Sequence, residues 1–148
     1  MPTLTGLNLG VMKNILKKFS DWTPWTDRLS LRLSLPGVYI LAEFEETPRS
    51  KPALSSKLIY IGETCNQSLH DRLYQFNRSG FHEKAGHSGG TTFASISKTS
   101  SNSSQLYVSI MGVALEEPHA SGFIRYVERA LIWSYVQQHG AYPVCNLK

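Results

Sequence analysis

The feature that most narrows the fold is a pair of short apolar segments lying too close along the chain to be parallel neighbours. Gly37–Phe44 (GVYILAEF) is rich in β-branched and aromatic residues and predicts a strand. Residues 58–62 (LIYIG), an apolar run closed by glycine, predict a second, buried one. The 13 residues between them, 45–57, hold two prolines, three serines and mixed charge, which is the composition of a surface loop. A parallel pair needs a crossover of its own, usually a helix, so the simplest arrangement is antiparallel.

Helical patterns surround this pair. Residues 9–20 place Val11, Ile15 and Phe19 at helical spacing with Met12 and Leu16 beside them. Residues 68–79 predict a second helix, with Ser68 as its cap, Asp71 near the positive end of its dipole, and Leu69, Leu73 and Phe76 as its apolar stripe. Residues 79–92 read as a Gly- and His-bearing loop, 92–96 as a brief strand, 97–104 as a polar, low-complexity and mobile stretch, and 106–113 as a strand. A long helix opens at Ser121 or Gly122 and closes at Gly140, a natural C-cap. Pro143 keeps the tail out of it. The predicted class is α/β, a small three-stranded, mainly antiparallel central sheet flanked by helices.

At about 150 residues per domain, 148 residues make one domain, 1–148. Fifteen Lys and Arg against eleven Asp and Glu give +4, with no basic run. That permits a nucleic-acid partner without requiring one. Charged residues at 18% exclude a coiled coil or a solvated charged arm. Cys65 and Cys145 are too few for a disulfide framework and read as reduced thiols of a cytoplasmic protein. No segment approaches the ~20 apolar residues of a membrane span, so no membrane association is expected.

Glu128 is the most informative single position. Ile124, Val127, Leu131, Ile132 and Tyr135 make the apolar stripe of the last helix, and Glu128 points with it. A carboxylate there must be paired, protonated or bound to a cation, because a lone buried charge is costly. The plain alternative is an ion pair with Arg125 or Arg129. Arg72 sits beside the apolar face of its own helix; it is either a snorkelling side chain or a planar fork for phosphate. Tyr39 and Tyr60 stand in similar contexts on the two paired strands. Each alone is ordinary packing, but together they can bring two hydroxyls to one site. One Glu, one Arg and Tyr hydroxyls would suit metal-assisted attack on a phosphodiester.

Gly37-Val38-Tyr39 and Tyr60-Ile61-Gly62 resemble the paired motif that names the GIY-YIG nucleases. The resemblance continues in order through Arg72 in the following helix, Glu128 in a late helix and Asn146 near the end. It spans 37–146 as a core, leaving 1–35 as an N-terminal helical extension. It implies a divalent-metal-dependent DNA endonuclease, with Mg²⁺ or Mn²⁺ held by Glu128, Arg72 neutralising the phosphoryl oxygens, Tyr39 as base, Tyr60 as its partner in ordering water, and Asn146 catalytic or pinning the tail. A Tyr of pKa about 10 is only about one part in a thousand ionised at neutral pH, so about 4 kcal/mol must come from its surroundings if Tyr39 is a true base.

The chain departs from the family pattern in three places. Twenty residues separate the two tyrosines, longer than usual; Glu63 stands where many members have lysine; Phe76 stands one turn after Arg72, where many have Tyr or His. His82 is the expected replacement for that proton donor, with His87 as a second candidate. Gly86-His87-Ser88-Gly89-Gly90 also fits a G-x-S-x-G pattern, but a nucleophile elbow needs a strand before the serine and a helix after it, and here a loop precedes and a β-prone Thr-Thr-Phe follows. A flexible segment contacting DNA through Arg78, Lys84 and His87 fits better. The rival to the enzyme is a catalytically inactive DNA-binding module on the same scaffold. Oligomeric state is open.

Overall fold

The computed structural model describes residues 4–48, 51–82, 84, 86–97 and 105–146. In chain order the elements are α1 (Leu4–Leu16), β1 (Thr23–Pro24), a 3-10 turn (Trp25–Ser30), β2 (Gly37–Phe44), β3 (Leu58–Thr64), α2 (Leu69–Phe81), α3 (Ser88–Ser97), β4 (Gln105–Gly112) and α4 (His119–His139). The sheet runs β1-β4-β2-β3 and every pairing is antiparallel. It therefore has four strands, not three. The added strand is two residues long and contains Pro24, so it carries no alternation that a sequence pattern can register. The antiparallel pairing of the two motif strands is as expected, with Tyr39 opposite Gly62 and Leu41 opposite Tyr60.

Alternation along β2 sends side chains to two separate cores. Val38 and Ile40 pack with Met12, Ile15, Leu16 and Phe19 from the N-terminal segment and with Ile124, Val127 and Leu131 of α4. Tyr39 and Leu41 pack on the other face with Leu69, Leu73 and Phe76 of α2, Phe93 of α3, and Trp25. The N-terminal segment thus completes the same core as the motif strands. Its α-helix ends earlier than expected, at Leu16. Lys18 and Phe19 then donate to the carbonyls of Ile15 and Leu16, the tight i to i−3 pattern of a closing turn.

Local chemistry sets the helix ends. The Ser68 side chain accepts from the Asp71 amide and starts α2. Gly140 takes the left-handed conformation (φ 75°) that ends α4. At the other end of α4, the Glu117 carboxylate accepts from both the Ser121 amide and hydroxyl, and the helix begins two residues before Ser121. The largest departure is at 88–97, expected as loop and brief strand but folded as α3. Gly89 and Gly90 let this helix press against its neighbours: a Cβ on Gly89 would lie 2.5 Å from the Tyr60 ring, and one on Gly90 2.8 Å from Ser79 Cβ. Packing of that closeness overrides the β preference of Thr-Thr-Phe. The mobile stretch expected at 97–104 lies outside the described residues from 98 onward. No helix among the described residues is long and apolar enough to cross a membrane.

Candidate functional site

β3 is the edge strand, and the two faces of the sheet meet along it. Tyr60 projects on the α2 side and Glu63 lies opposite Val38, whose side chain joins the α4-side core. The motif glycines make the arrangement possible. A Cβ on Gly37 would sit 2.0 Å from the Met111 carbonyl oxygen of β4, so only glycine lets β2 start there. A Cβ on Gly62 would lie 2.6 Å from Tyr39 Cζ and 2.4 Å from the Tyr60 ring. Glycine opposite Tyr39 therefore leaves room for both phenols on one face, with ring centroids 5.9 Å apart.

Tyr39 is sealed, at 0% exposure, while Tyr60 reaches the rim at 9%. Burial pushes Tyr39 well above its ordinary value, and neighbouring Tyr60 pushes in the same direction; Arg72 opposes both. Tyr60 is raised chiefly by burial too, with Arg72 lowering it and Glu128 and Glu63 raising it. Tyr60 thus lies within electrostatic reach of the Arg72 guanidinium and of the Glu128 and Glu63 carboxylates. Arg72 is held from behind: its Nη1 donates to Gln75 Oε1 at 2.7 Å, and Gln75 exchanges amide hydrogen bonds with Gln67. The described ion pairs, Lys51 with Asp21 and His70 with Asp71, leave Arg72 and Glu128 without an opposite partner of their own.

Glu128 is half-buried, and its carboxyl is pushed up to about 6, first by burial, then by Glu63, with Arg129 pulling the other way. The ion pair that would have explained it plainly, with Arg125 or Arg129, is not formed among the described residues. Glu63 accepts from the Cys65 thiol at 3.1 Å. Two carboxylates repelling one another beside an open rim suit a hard divalent cation that takes few protein oxygens and completes its shell with water and phosphate. A self-sufficient protein cage is a different matter: among the described residues no group of three or more His, Cys, Asp or Glu is placed to hold a metal.

The two histidines separate cleanly. His82 caps the far end of α2, exposed, ten residues and so about 15 Å along the helix axis from Arg72. It is not brought to the site. His87 is, at 2% exposure, with its Nε2 2.6 Å from the Tyr39 hydroxyl. The Gly90 amide donates to His87 Nδ1 at 3.1 Å, so that nitrogen carries a lone pair. The neutral ring therefore bears its proton on Nε2 and donates it to Tyr39 Oη. Burial, with Arg72 adding to it, lowers His87 to about 3, which keeps it neutral across the ordinary range. Its ring lies edge-on to Phe76 at 5.2 Å, at the position where a polar residue was expected. His87 thus serves the phenol and is not available as the exposed DNA contact expected at 79–92. Arg78 and Lys84 are exposed. Ser88 is the first residue of α3, and a helix rather than a strand precedes its turn, so no nucleophile elbow exists there.

Asn146 spends its amide on structure. Its Oδ1 accepts from the Ile61 amide at 3.0 Å and its Nδ2 donates to the Ile61 carbonyl at 2.9 Å, while the Cys145 amide donates to Ile59. The tail thereby covers the free edge of β3 beside Tyr60. Of the expected site residues, Tyr39, Tyr60, Arg72 and Glu128 gather at one edge and Asn146 braces it. No known family, curated protein or solved structure matches the chain.

Proposed function

We propose that this protein is a divalent-metal-dependent DNA endonuclease that hydrolyses phosphodiester bonds, a reading in keeping with its likeness to the GIY-YIG nucleases. The observation that carries it is the meeting near the β3 edge of an acid and a guanidinium, neither ion-paired among the described residues, with two phenols, from segments far apart along the chain. In this reading Glu128, with Glu63 beside it, holds Mg²⁺ or Mn²⁺. When bound, the ion supplies positive charge to the phosphate oxygens and the leaving group. Arg72, braced by Gln75, takes the charge that grows on the phosphoryl oxygens.

The tyrosines serve as neutral hydroxyls. Burial works against a phenolate at Tyr39, which weighs against the role of full base and in favour of water positioning. Tyr60 at the rim meets the attacking water, and Tyr39 lies behind it. The Nε2–H of His87 occupies a lone pair of Tyr39 Oη, so the remaining lone pair and the hydroxyl proton of Tyr39 are aimed away from His87.

The test is nicking or cutting of supercoiled plasmid that needs Mg²⁺ or Mn²⁺, stops with EDTA and disappears in Glu128→Ala and Arg72→Ala. The second reading, an inactive DNA-binding module, is favoured by the sealed Tyr39 and by Glu63, which stands where many members of the similar family have lysine. Salt-dependent binding of supercoiled, linear and branched DNA with none of them cut in either metal would select it.

A further inference from the structure

The outer side of α4 carries a surface that the cleavage chemistry does not use. Tyr126, Arg129 and Trp133 follow one another at three- and four-residue spacing and form one exposed stripe. Trp133 is 48% and Tyr126 52% exposed, about 10 Å apart along the axis. A groove of about 500 Å³ runs beside this stripe, lined by Glu128, Arg129, Ile132, Trp133, Val136 and Tyr142. Tyr142 is 51% exposed and comes from the tail that Asn146 ties to β3. The groove thus has aromatic rings from two elements, an apolar floor, a guanidinium, and at one end the carboxylate of the candidate metal site. Its volume falls within the roughly 300–1,000 Å³ of small-molecule sites.

We infer that this groove takes an unpaired nucleobase of the DNA strand being cut. This rests on the nuclease reading and deepens it by naming the substrate class: flaps, bubbles and single-strand junctions over plain duplex. A base in a duplex has both faces covered by its neighbours and cannot stack on Trp133 or Tyr142; an unpaired one can. Arg129 adds a planar cation suited to a base face or a flanking phosphate, and Arg125 lies one turn earlier on the same helix. Continuity with Glu128 favours a nucleic acid over a protein partner. Whatever fills the groove abuts the carboxylate that would face the scissile phosphate, and a nucleotide attached to that phosphate is the occupant whose backbone joins the two places.

Binding is measured without divalent metal, so that it stands apart from cleavage. Fluorescein-labelled oligothymidylate and a duplex of equal length are titrated by anisotropy, alongside tryptophan emission. The proteins are wild type, Trp133→Ala, Trp133→Phe and Tyr142→Ala, each checked for an unchanged melting temperature. Stacking losses of this kind weaken binding roughly five- to a hundredfold per base. The expected result is that fall for oligothymidylate with Trp133→Ala, near-full retention with Trp133→Phe, and little change for duplex. With metal present, Trp133→Ala loses a preference for flapped over fully paired substrate. Equal weakening for both DNAs, or no change in either, overturns the inference. So does a wild type that dimerises in sedimentation and becomes monomeric in Trp133→Ala with DNA binding intact, since the groove is then a self-association surface. If no substrate is cut in any metal but the strand-selective binding persists, the nuclease reading falls and the base site stands.

Discussion

The interior and the rim of the site are built on opposite principles. Inside, Tyr39 and His87 are sealed, the histidine is a single tautomer, and its hydrogen bonds run to Tyr39 and Gly90. At the rim, Glu128 and Arg72 are half-buried, neither forms an ion pair among the described residues, and Glu128 and Glu63 repel one another. A buried polar group that is fully satisfied contributes rigidity; a charged rim left unsatisfied costs stability until something binds. The contrast teaches that the packing of the fold is complete at the phenols and incomplete at the acids.

The comparison is most severely strained by removing a rim charge. Glu128→Ala is expected to lower cleavage at least about a thousandfold, and Arg72→Ala about a hundred- to a thousandfold, with the fold intact by circular dichroism in both. Near-wild-type nicking by either variant breaks the assignment.

The interior is probed through His87. His87→Ala removes the donor to Tyr39 and strands the Gly90 amide, so a loss of about 2–4 kcal/mol is expected in urea unfolding, with a fall in cleavage following from lost order. The native histidine stays neutral down to about 3, while an unfolded one protonates near 6.5. The unfolded state therefore binds the extra proton first, and wild-type stability falls as pH drops from about 6.5 toward 3. His87→Gln should flatten that limb, and an identical acid limb in the variant would show that the ring is not neutral in the native state.

Glu128 should give the opposite slope and a smaller effect. Its folded value of about 6 lies above the ordinary 4.5, so the folded protein holds the proton longer and stability is lost as pH rises from about 4.5 to 6. Glu128→Gln removes that loss. Its melting temperature should match wild type below about pH 4.5 and exceed it by a few degrees above pH 6. Mg²⁺ or Mn²⁺ at pH 7.5 should then raise the melting temperature of wild type and not of Glu128→Gln. Equal gains in both would move the cation elsewhere.

The smallest effect sharpens the packing. Gly89→Ala pushes a methyl group into the Tyr60 ring, and a loss of about 1–3 kcal/mol is expected. An unchanged midpoint in urea would mean that α3 does not press on Tyr60 as described.

Much of this was open to a reader of the chain alone. The antiparallel motif strands, the Ser68 and Gly140 caps, and the stripe on α4 follow from local periodicity and end chemistry, which act over a few residues. The same stripe exposed Glu128 as an acid in need of a partner. What stayed hidden depended on contacts between distant segments. β1 exists only because β4 lies beside it. Residues 88–97 are helical because two glycines fit against α2 and Tyr60, a fit that the β preference of Thr-Thr-Phe conceals. The choice of His87 over His82 turned on that docking, since both are loop-like histidines by composition and only one meets a buried phenol. Periodicity and capping are written in neighbouring residues and can be read there. Which groups share a dry pocket, and hence which protons and charges they keep, is decided when the chain closes on itself, because desolvation and hydrogen bonding act through space.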